Sequence, residues 1–398
     1  MLRAFSKQEK KVISIISSLE AVKLLGLFLV MPIFTVYGQL YTTSGVLVGV
    51  AFGIYGLAMA IFQFPFGHLS DRIGRKKSLV IAMIPFIVGN LICWHPGNIY
   101  MLIAGRFIAG AGAVSSITVA FIQESVGVER RNLAMAFLGI SIGASFMLGI
   151  IMGPLISAII GIGNIFLLTA ILGAVSLLPL ISISEHRPLE NIKEEGKPML
   201  KGVEKSSIGL GMVSFFASAL MYSYFYFVSQ YHEQFASKFN LTVMLLVPVI
   251  VGGLISLYFA RLADKGKLIK ISYASLAFLA ASVPLVFLVP YFFISGYSVM
   301  LSSIAFFAGY GSYEVVFPTL VARLSSSNYG SNLGAYNTLQ YIGELVGGVI
   351  AGYFVGSSIN SLGVLSITAV LLAFILSSFA VLKYSVKDNK GLGLVLTS

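Results

Sequence analysis

One stretch of the sequence decides the fold: Gly67-His68-Leu69-Ser70-Asp71-Arg72-Ile73-Gly74-Arg75-Lys76-Lys77. Long apolar segments, 46–66 and 78–94, flank it on both sides. A cluster of charges cannot lie in the hydrocarbon core of a bilayer, so the stretch is predicted to be a short loop between two membrane-spanning helices. Lys and Arg in short loops mark the cytoplasmic side. The loop therefore also predicts the orientation of the chain.

The composition is that of an integral membrane protein. The chain has 398 residues, of which 57% are hydrophobic and only 10% are charged, whereas a soluble domain has about 25% charged residues. The net charge of +11 does not indicate nucleic-acid binding, because the cations lie in the gaps between apolar segments. Of the 26 Lys and Arg residues, Lys23 and Arg106 fall well inside predicted spans, Lys270 and Lys383 fall at the cytoplasmic ends of two others, and Lys238 falls in a predicted outer loop. The others lie on the predicted cytoplasmic side.

Twelve spanning helices are predicted, because a helix needs about 20 apolar residues to cross a bilayer. The segments are 12–38, 46–66, 78–94, 99–123, 133–160, 164–183, 207–231, 241–260, 270–294, 297–322, 333–356 and 362–384. The first is too long for the core of a signal peptide, so we expect it to stay in the mature protein. An even number of spans places both termini in the cytoplasm of a multi-pass cell-membrane protein.

The chain is predicted to consist of two matching halves. The polar segment 184–206 is interpreted as a cytoplasmic linker between an N-terminal six-helix bundle, 1–183, and a C-terminal six-helix bundle, 207–398. Two motifs recur: the loop 261–267 follows the eighth span as the opening stretch follows the second, and Gly343xxxGly347 matches Gly149xxxGly153. The expected fold is an all-α membrane protein of two pseudo-symmetric bundles. Such halves suit alternating access, in which one rocks against the other.

Residues of the cytoplasmic loops are candidates for a gate. Asp71 and Arg72 come where the second span ends, Gly74 permits a turn with a positive φ, and Gly67 lets another helix approach closely. Arg131, in the next inner loop, belongs to the same set. Charged contacts here can form in one conformation and break in the other. The alternative is that these cations only fix the topology.

Ionisable residues inside the spans are candidates for a central cavity, because a buried charge in a membrane is costly unless it has a partner or a function. They are Lys23, Arg106, Glu314 and Glu344, with Gln63 and Gln340 as uncharged polar candidates. A buried carboxyl group can hold a proton near neutral pH, so both glutamates are candidate proton carriers. Alternatives are that Arg106 snorkels to the outer surface and that fixed partners neutralise the acids. Glu20, three residues before Lys23, is placed to pair with it.

The fifth span repeats glycine at four-residue spacing. Gly139 and Gly143 are followed by Gly149, Gly153 and Pro154. Small residues at this spacing make a flat face for close helix packing, and the proline bends the helix. We hypothesise that this face slides between states, the alternative being ordinary membrane packing.

No motif of an enzyme occurs in the sequence. It lacks an HExxH pair, a Walker A sequence and a GxSxG elbow. We therefore expect neither an enzyme nor an ATP-driven pump, and neither a cofactor nor a metal. The single cysteine, Cys93, excludes an intrachain disulfide.

These motifs resemble those of the major facilitator superfamily. The opening stretch resembles its motif A, Arg106 with Gly110 and Gly112 resembles its helix-4 motif, and 149–154 resembles its antiporter motif. Four further stretches are similar to YajR-type transporters, which are grouped with drug/proton antiporters: 24–32, 53–77, 134–139 and 334–340.

The resemblance implies roles for particular residues. It implies that Asp71 faces the start of the eleventh helix and that Arg75 approaches the acid that ends the fourth helix, Glu124. It also implies that Lys23 stands at the position of a helix-1 arginine and that Glu314 matches a helix-10 glutamate. Glu20 and Glu344 stand where apolar residues are expected in the family, which predicts proton coupling that is either rerouted or specific to this chain.

We therefore expect a secondary active transporter that couples the efflux of a small organic solute to protons. One alternative is an uncoupled or symporting carrier for a sugar or metabolite, and another is a polytopic sensor or enzyme without transport. The expected partners are a small-molecule substrate, protons and the lipid bilayer, without nucleic acid, and the protein is expected to be a monomer.

Overall fold

A computed structural model describes residues 5–184, 203–237, 240–325, 329–356 and 358–388. Most of the predicted linker, 184–206, and the predicted outer cation Lys238 lie outside the described residues. Within those ranges the regular structure consists of helices alone.

The helices match the predicted spans to within a few residues at most ends. Their bounds are α1 Lys7–Val30, α2 Phe34–Gln39, α3 Gly45–Ile73, α4 Arg75–Trp94, α5 Ile99–Ala111, α6 Ser115–Ser125, α7 Arg131–Ile160, α8 Ile162–Ser176, α9 Lys205–Phe235, α10 Leu241–Leu262, α11 Leu268–Phe287, α12 Val289–Phe292, α13 Gly296–Leu324, α14 Tyr329–Phe354 and α15 Ser361–Asp388. Short 3₁₀ turns occur at Met31–Ile33, Val128–Arg130 and Leu178–Ser182.

Ten helical segments of the described chain are long and apolar enough to cross a membrane. One of them, Leu241–Phe292, has 52 residues and holds both α10 and α11, which join at a kink where Gly266 has a φ of 82°. The long helix α14 is not among the ten, because residues such as Asn337, Gln340 and Glu344 lower its hydropathy. Counting α10 and α11 separately and adding α14 gives twelve helical segments, one for each predicted span. The all-α fold is thereby confirmed.

Four predicted spans are not single continuous helices: the sixth, 164–183, ends in the 3₁₀ turn Leu178–Ser182, the ninth, 270–294, divides into α11 and α12, and the first and fourth are interrupted within their length. The first changes to a 3₁₀ turn at Met31–Ile33, where Pro32 cannot donate a backbone hydrogen bond. The fourth, predicted over 99–123, breaks between Ala111 and Ser115. Glycine lowers helix propensity there, and a side chain on Gly112 would lie 2.7 Å from Phe86 Cβ, so the packing requires glycine at this point.

The chain divides into two compact units, Met1–Tyr41 with Ile54–Glu195, and Thr42–Gly53 with Gly196–Ser398. The first nine residues of α3 therefore group with the second unit, whereas the rest of that helix groups with the first. The boundaries of the two predicted bundles, 1–183 and 207–398, stay a prediction.

The same packing device occurs in each unit. In unit 1, Gly149 and Gly153 of α7 pack on the backbone of α1 at Phe28 and Leu29. In unit 2, Gly343 and Gly347 of α14 pack on the backbone of α9 at Phe215 and Ala219. A Cβ atom at any of these glycines would clash, so the glycine pairs allow the helices to touch.

The earlier pair in α7 behaves differently. Around Gly139 and Gly143 the described residues leave open space within 4 Å of an added Cβ atom. The predicted flat face of the fifth span is therefore restricted to its second half, where Gly149, Gly153 and Pro154 lie.

Candidate functional site

The charged loop of unit 1 folds into a compact network around Arg75. Gly74 has a φ of 100°, which ends α3 and starts α4 one residue later. Arg75 then binds Glu124 through two hydrogen bonds, Nε to Oε2 at 3.0 Å and Nη2 to Oε1 at 2.6 Å, and pairs with Asp71 at 2.6 Å. Its Nη1 also donates to the hydroxyl of Ser70. The guanidinium group thus joins the end of α3 to the end of α6.

The other gate candidates take less part in this network. Arg72 is exposed, and so is Arg131, whose Nε donates to the carbonyl of Gln123 at 2.9 Å. A side chain on Gly67 would make only ordinary contact with Ser116. The structure therefore brings Asp71, Arg75 and Glu124 together. The contact of Asp71 with the eleventh span stays a prediction.

Arg106 is buried between two aromatic rings. Its guanidinium carbon lies 5.1 Å from the ring centre of Phe34 and 4.7 Å from that of Tyr55, and only 3% of the residue is exposed. A cation over an aromatic face is stabilised by the negative face of the ring. Gly110, one turn further along α5, allows this approach because it packs on the backbone of Tyr55. The burial argues against snorkelling to the surface.

Glu20 and Lys23 are both buried in unit 1 but do not form the direct hydrogen-bonded pair that their spacing suggested. The carboxylate of Glu20 accepts hydrogen bonds from Ser115 Oγ at 2.6 Å and from Thr118 Oγ1 at 3.3 Å. Lys23 Nζ makes no hydrogen bond within the described part of the chain. Sequence reasoning missed the two α6 hydroxyls, although their three-residue spacing put them on one helix face.

The polar candidates of unit 2 form one cluster. Gln340 Nε2 donates to Glu314 Oε1 at 3.0 Å, and the Tyr222 hydroxyl donates to Glu344 Oε2 at 2.8 Å. The buried Tyr310 hydroxyl is a hydrogen-bond partner of Glu314 and also faces Glu344. The Glu314 side chain is exposed and Glu344 is half-buried. Two carboxyl groups predicted separately thus both lie near Tyr310, which hydrogen-bonds Glu314 and interacts electrostatically with Glu344.

Gln63 lies outside this cluster. It belongs to unit 1, where it is buried and its main-chain carbonyl accepts a hydrogen bond from Ser116 Oγ at 3.0 Å. Of the six cavity candidates, Lys23, Arg106 and Gln63 belong to unit 1, and Glu314, Gln340 and Glu344 belong to unit 2.

A glycine contact in unit 2 was not identified from the sequence, although its four-residue spacing is visible there. Its members are Gly45, Gly49 and Gly53 on α3 and Gly348, Gly352 and Gly356 at the end of α14. Their backbones touch directly, because a Cβ atom at Gly49 would overlap the Gly348 carbonyl oxygen. The Tyr226 hydroxyl lies 3.2 Å from the Gly45 oxygen and 3.1 Å from the Gly356 oxygen. Tyr226 thus ties together one end of each helix.

Comparisons with known proteins agree with this architecture. The family model of the Major Facilitator Superfamily matches residues 17–348. The inner membrane transport protein YajR of Escherichia coli K12 is 27% identical over 346 residues, covering 84% of this chain and 75% of YajR. The class B tetracycline resistance protein of Escherichia coli is 29% identical over 155 residues, covering 38% of this chain and 37% of that protein.

A solved structure has the same fold. The human organic anion transporter MFSD10 (TETRAN) superimposes with a TM-score of 0.69 at 16% sequence identity, covering 95% of this chain and all of that chain. At this identity the likeness concerns the fold alone.

Proposed function

This chain belongs to the Major Facilitator Superfamily, whose transporters bind small molecules within the membrane, and on that premise we propose that it exports a small organic solute in exchange for protons. The mechanism proposed is alternating access in the cell membrane, with the bundles 1–183 and 207–398 rocking around the linker 184–206. The likeness to a tetracycline resistance protein supports a drug-like organic molecule as the solute. We propose that the protein acts as a monomer and does not bind nucleic acid.

The observation that carries the proton coupling is the acid cluster of unit 2. Glu314 and Glu344 lie on helices that also contain long apolar segments. The hydrogen-bond donors that the described structure gives them are the neutral side chains of Gln340, Tyr222 and Tyr310. A tyrosine hydroxyl can donate to a carboxylate and accept from a protonated acid, so it tolerates either state. An acid in such a place can take up and release a proton during a transport cycle.

We assign the gate to the Arg75 network. Asp71, Arg75 and Glu124 are held at the ends of α3, α4 and α6, where a change of conformation can exchange one charged partner for another. The distribution of Lys and Arg supports a cytoplasmic position for this network and for both termini.

The proposal is tested by flux measurements on purified protein in liposomes. Tetracycline and a panel of organic cations and anions are offered with and without a pH gradient. We expect a gradient to drive export of at least one solute, and Glu314→Gln or Glu344→Gln to lower that flux about tenfold or more by removing a proton carrier.

The control is Glu233→Gln, at an exposed acid near the end of α9, which is expected to transport like the wild type. Equal flux with and without the gradient would favour the uncoupled carrier. Unchanged pH dependence in both glutamine variants would contradict the assignment of the proton carriers.

A further inference from the structure

A buried amine in unit 1 lacks the contacts that a cation requires. Lys23 is 0% exposed, and its Nζ has no hydrogen-bond partner within the described residues. Burying an ammonium group without hydrogen bonds costs several kcal/mol even when an opposite charge is near. A lysine at this position does not serve stability, so we look for a function of its titratable nitrogen.

The neighbouring acid is held far better than the amine. One oxygen of Glu20 accepts a hydrogen bond of 2.6 Å from Ser115 Oγ, and the other lies 3.3 Å from Thr118 Oγ1, whose single proton is shared with the Ser115 carbonyl at 2.9 Å. Hydroxyl donors stabilise the ionised form of a carboxylate. The negative charge on Glu20 is thus supported by fixed donors, whereas the positive charge on Lys23 is supported by Glu20 alone. Of the two charges, the one on Lys23 therefore has fewer stabilising contacts among the described residues.

The charged groups on the helices packed against α1 lie at a distance from this pair. On α6 the ionisable residue is Glu124, about 9 Å further along the helix axis than Thr118 and bound to Arg75. On α7 it is Arg131, at the first residue of the helix, and α8 holds none among its described residues. Glu20 is therefore the counter-charge that sets the state of Lys23.

The burial also limits what can reach the amine. At 0% exposure Lys23 has no surface for a solute, but a proton needs no such space. Ser17, one turn before Glu20 on α1, is also buried with a hydroxyl that has no partner in the described chain. Ser17, Glu20 and Lys23 follow one another at three-residue spacing, so polar groups line one face of α1 over about 9 Å.

We propose that Lys23 is a second proton-binding group, in unit 1, with Glu20 as its fixed counter-charge and Ser17 on its route toward the first residues of α1. Release of the proton leaves a neutral amine beside the Glu20 carboxylate, and uptake restores the ammonium ion. The inference deepens the proposed function and rests on it for the use of this proton in transport. It adds a nitrogen carrier to the carboxyl carriers of unit 2.

The test counts protons on the purified full-length protein in detergent, without substrate or gradient. The pH is lowered from about 9 to about 5.5, a range in which an exposed lysine stays charged. We expect the double variant Lys23→Met, Glu20→Gln to take up about one proton per chain fewer than the wild type. The double variant is used because Lys23→Met alone would leave the buried Glu20 carboxylate without its counter-charge.

The matched control is Lys11→Met, at an exposed lysine on the same helix, which is expected to take up as many protons as the wild type. In protein labelled with ¹⁵N-lysine, one Nζ resonance that is absent from Lys23→Met should shift over the same range. Equal uptake by the double variant, or a Lys23 resonance that does not move, would overturn the proposal. Neither proton uptake nor the Nζ resonance depends on flux. A failure of the transport proposal can therefore be told apart from a failure of this one.

Discussion

At the scale of single residues, Arg75 makes contacts that no other cation can reproduce. Its planar group binds both oxygens of Glu124 and reaches Asp71 and Ser70. Lysine has the same charge but lacks the planar set of N–H donors that binds two carboxylate oxygens at once. We expect Arg75→Lys to lower the free energy of unfolding by about 1–2 kcal/mol, a modest value because Glu124 and Asp71 are partly exposed.

Thermal unfolding in detergent measures this effect with a thiol-reactive dye, because Cys93 is the single cysteine and is fully buried in the folded protein. The control is Lys77→Arg, at an exposed residue of the same helix, which should unfold at the wild-type temperature. Equal melting of both variants would show that the network adds no stability.

Arg106 gives a second prediction for a single residue. Its charge lies between Phe34 and Tyr55, so the ring at position 55 matters more than its hydroxyl. We expect Tyr55→Leu to destabilise the protein by about 1–2 kcal/mol more than Tyr55→Phe, which keeps the aromatic face. The same dye assay compares the two variants, and indistinguishable melting would contradict a role for the cation–π contact.

Some of these side-chain contacts were predicted from the sequence and others were not. Arg75 and Glu124 were joined through the resemblance to a family motif, and the structure shows that contact. The hydroxyls of Ser115 and Thr118 on Glu20 were not foreseen, because they depend on how α6 is turned after the break at Gly112. A rotation of a helix about its axis is decided by packing, which composition and spacing do not report.

At the scale of helices, the glycine contact between α3 and α14 governs how closely two backbones approach. A methyl group on Gly49 would overlap the backbone of Gly348, which cannot move as a side chain does. We expect Gly49→Ala to cost about 1–3 kcal/mol of stability. Gly139→Ala on α7 is the matched control, because open space surrounds it and alanine stabilises a helix by about 0.5–1 kcal/mol.

Melting temperatures of the two alanine variants therefore move in opposite directions, the first down and the second slightly up. A Gly49→Ala protein as stable as the wild type would show that these helices separate without penalty. The spacing of glycines alone could not rank these sites, since Gly139 and Gly143 have the same spacing as Gly149 and Gly153, but the described residues place no atom within 4 Å of a Cβ added to either of the first two.

At the scale of the whole molecule, the distribution of charge predicts which side of the membrane each helix end faces. On a Cys93→Ser background we introduce Lys77→Cys near the start of α4 or Gly97→Cys just beyond its end, both at exposed positions. A maleimide that cannot cross membranes should label Gly97→Cys in intact cells and Lys77→Cys only in inverted vesicles. Labelling with the sides reversed would refute the topology.

Long apolar segments made the twelve spans readable from the sequence, since hydropathy is a property of composition. The grouping of Gly45–Gly53 with the second unit was not readable, because α3 is one uninterrupted helix whose two ends have different neighbours.

That shared helix has a practical consequence for anyone who expresses the molecule as fragments. A C-terminal fragment starting in 203–207 would omit the segment on which the glycines of α14 rest and the Gly45 carbonyl that Tyr226 reaches. Such a fragment would expose the glycine backbone of α14 that α3 otherwise covers. Co-expression of an N-terminal fragment that contains α3 should therefore protect the C-terminal fragment from degradation.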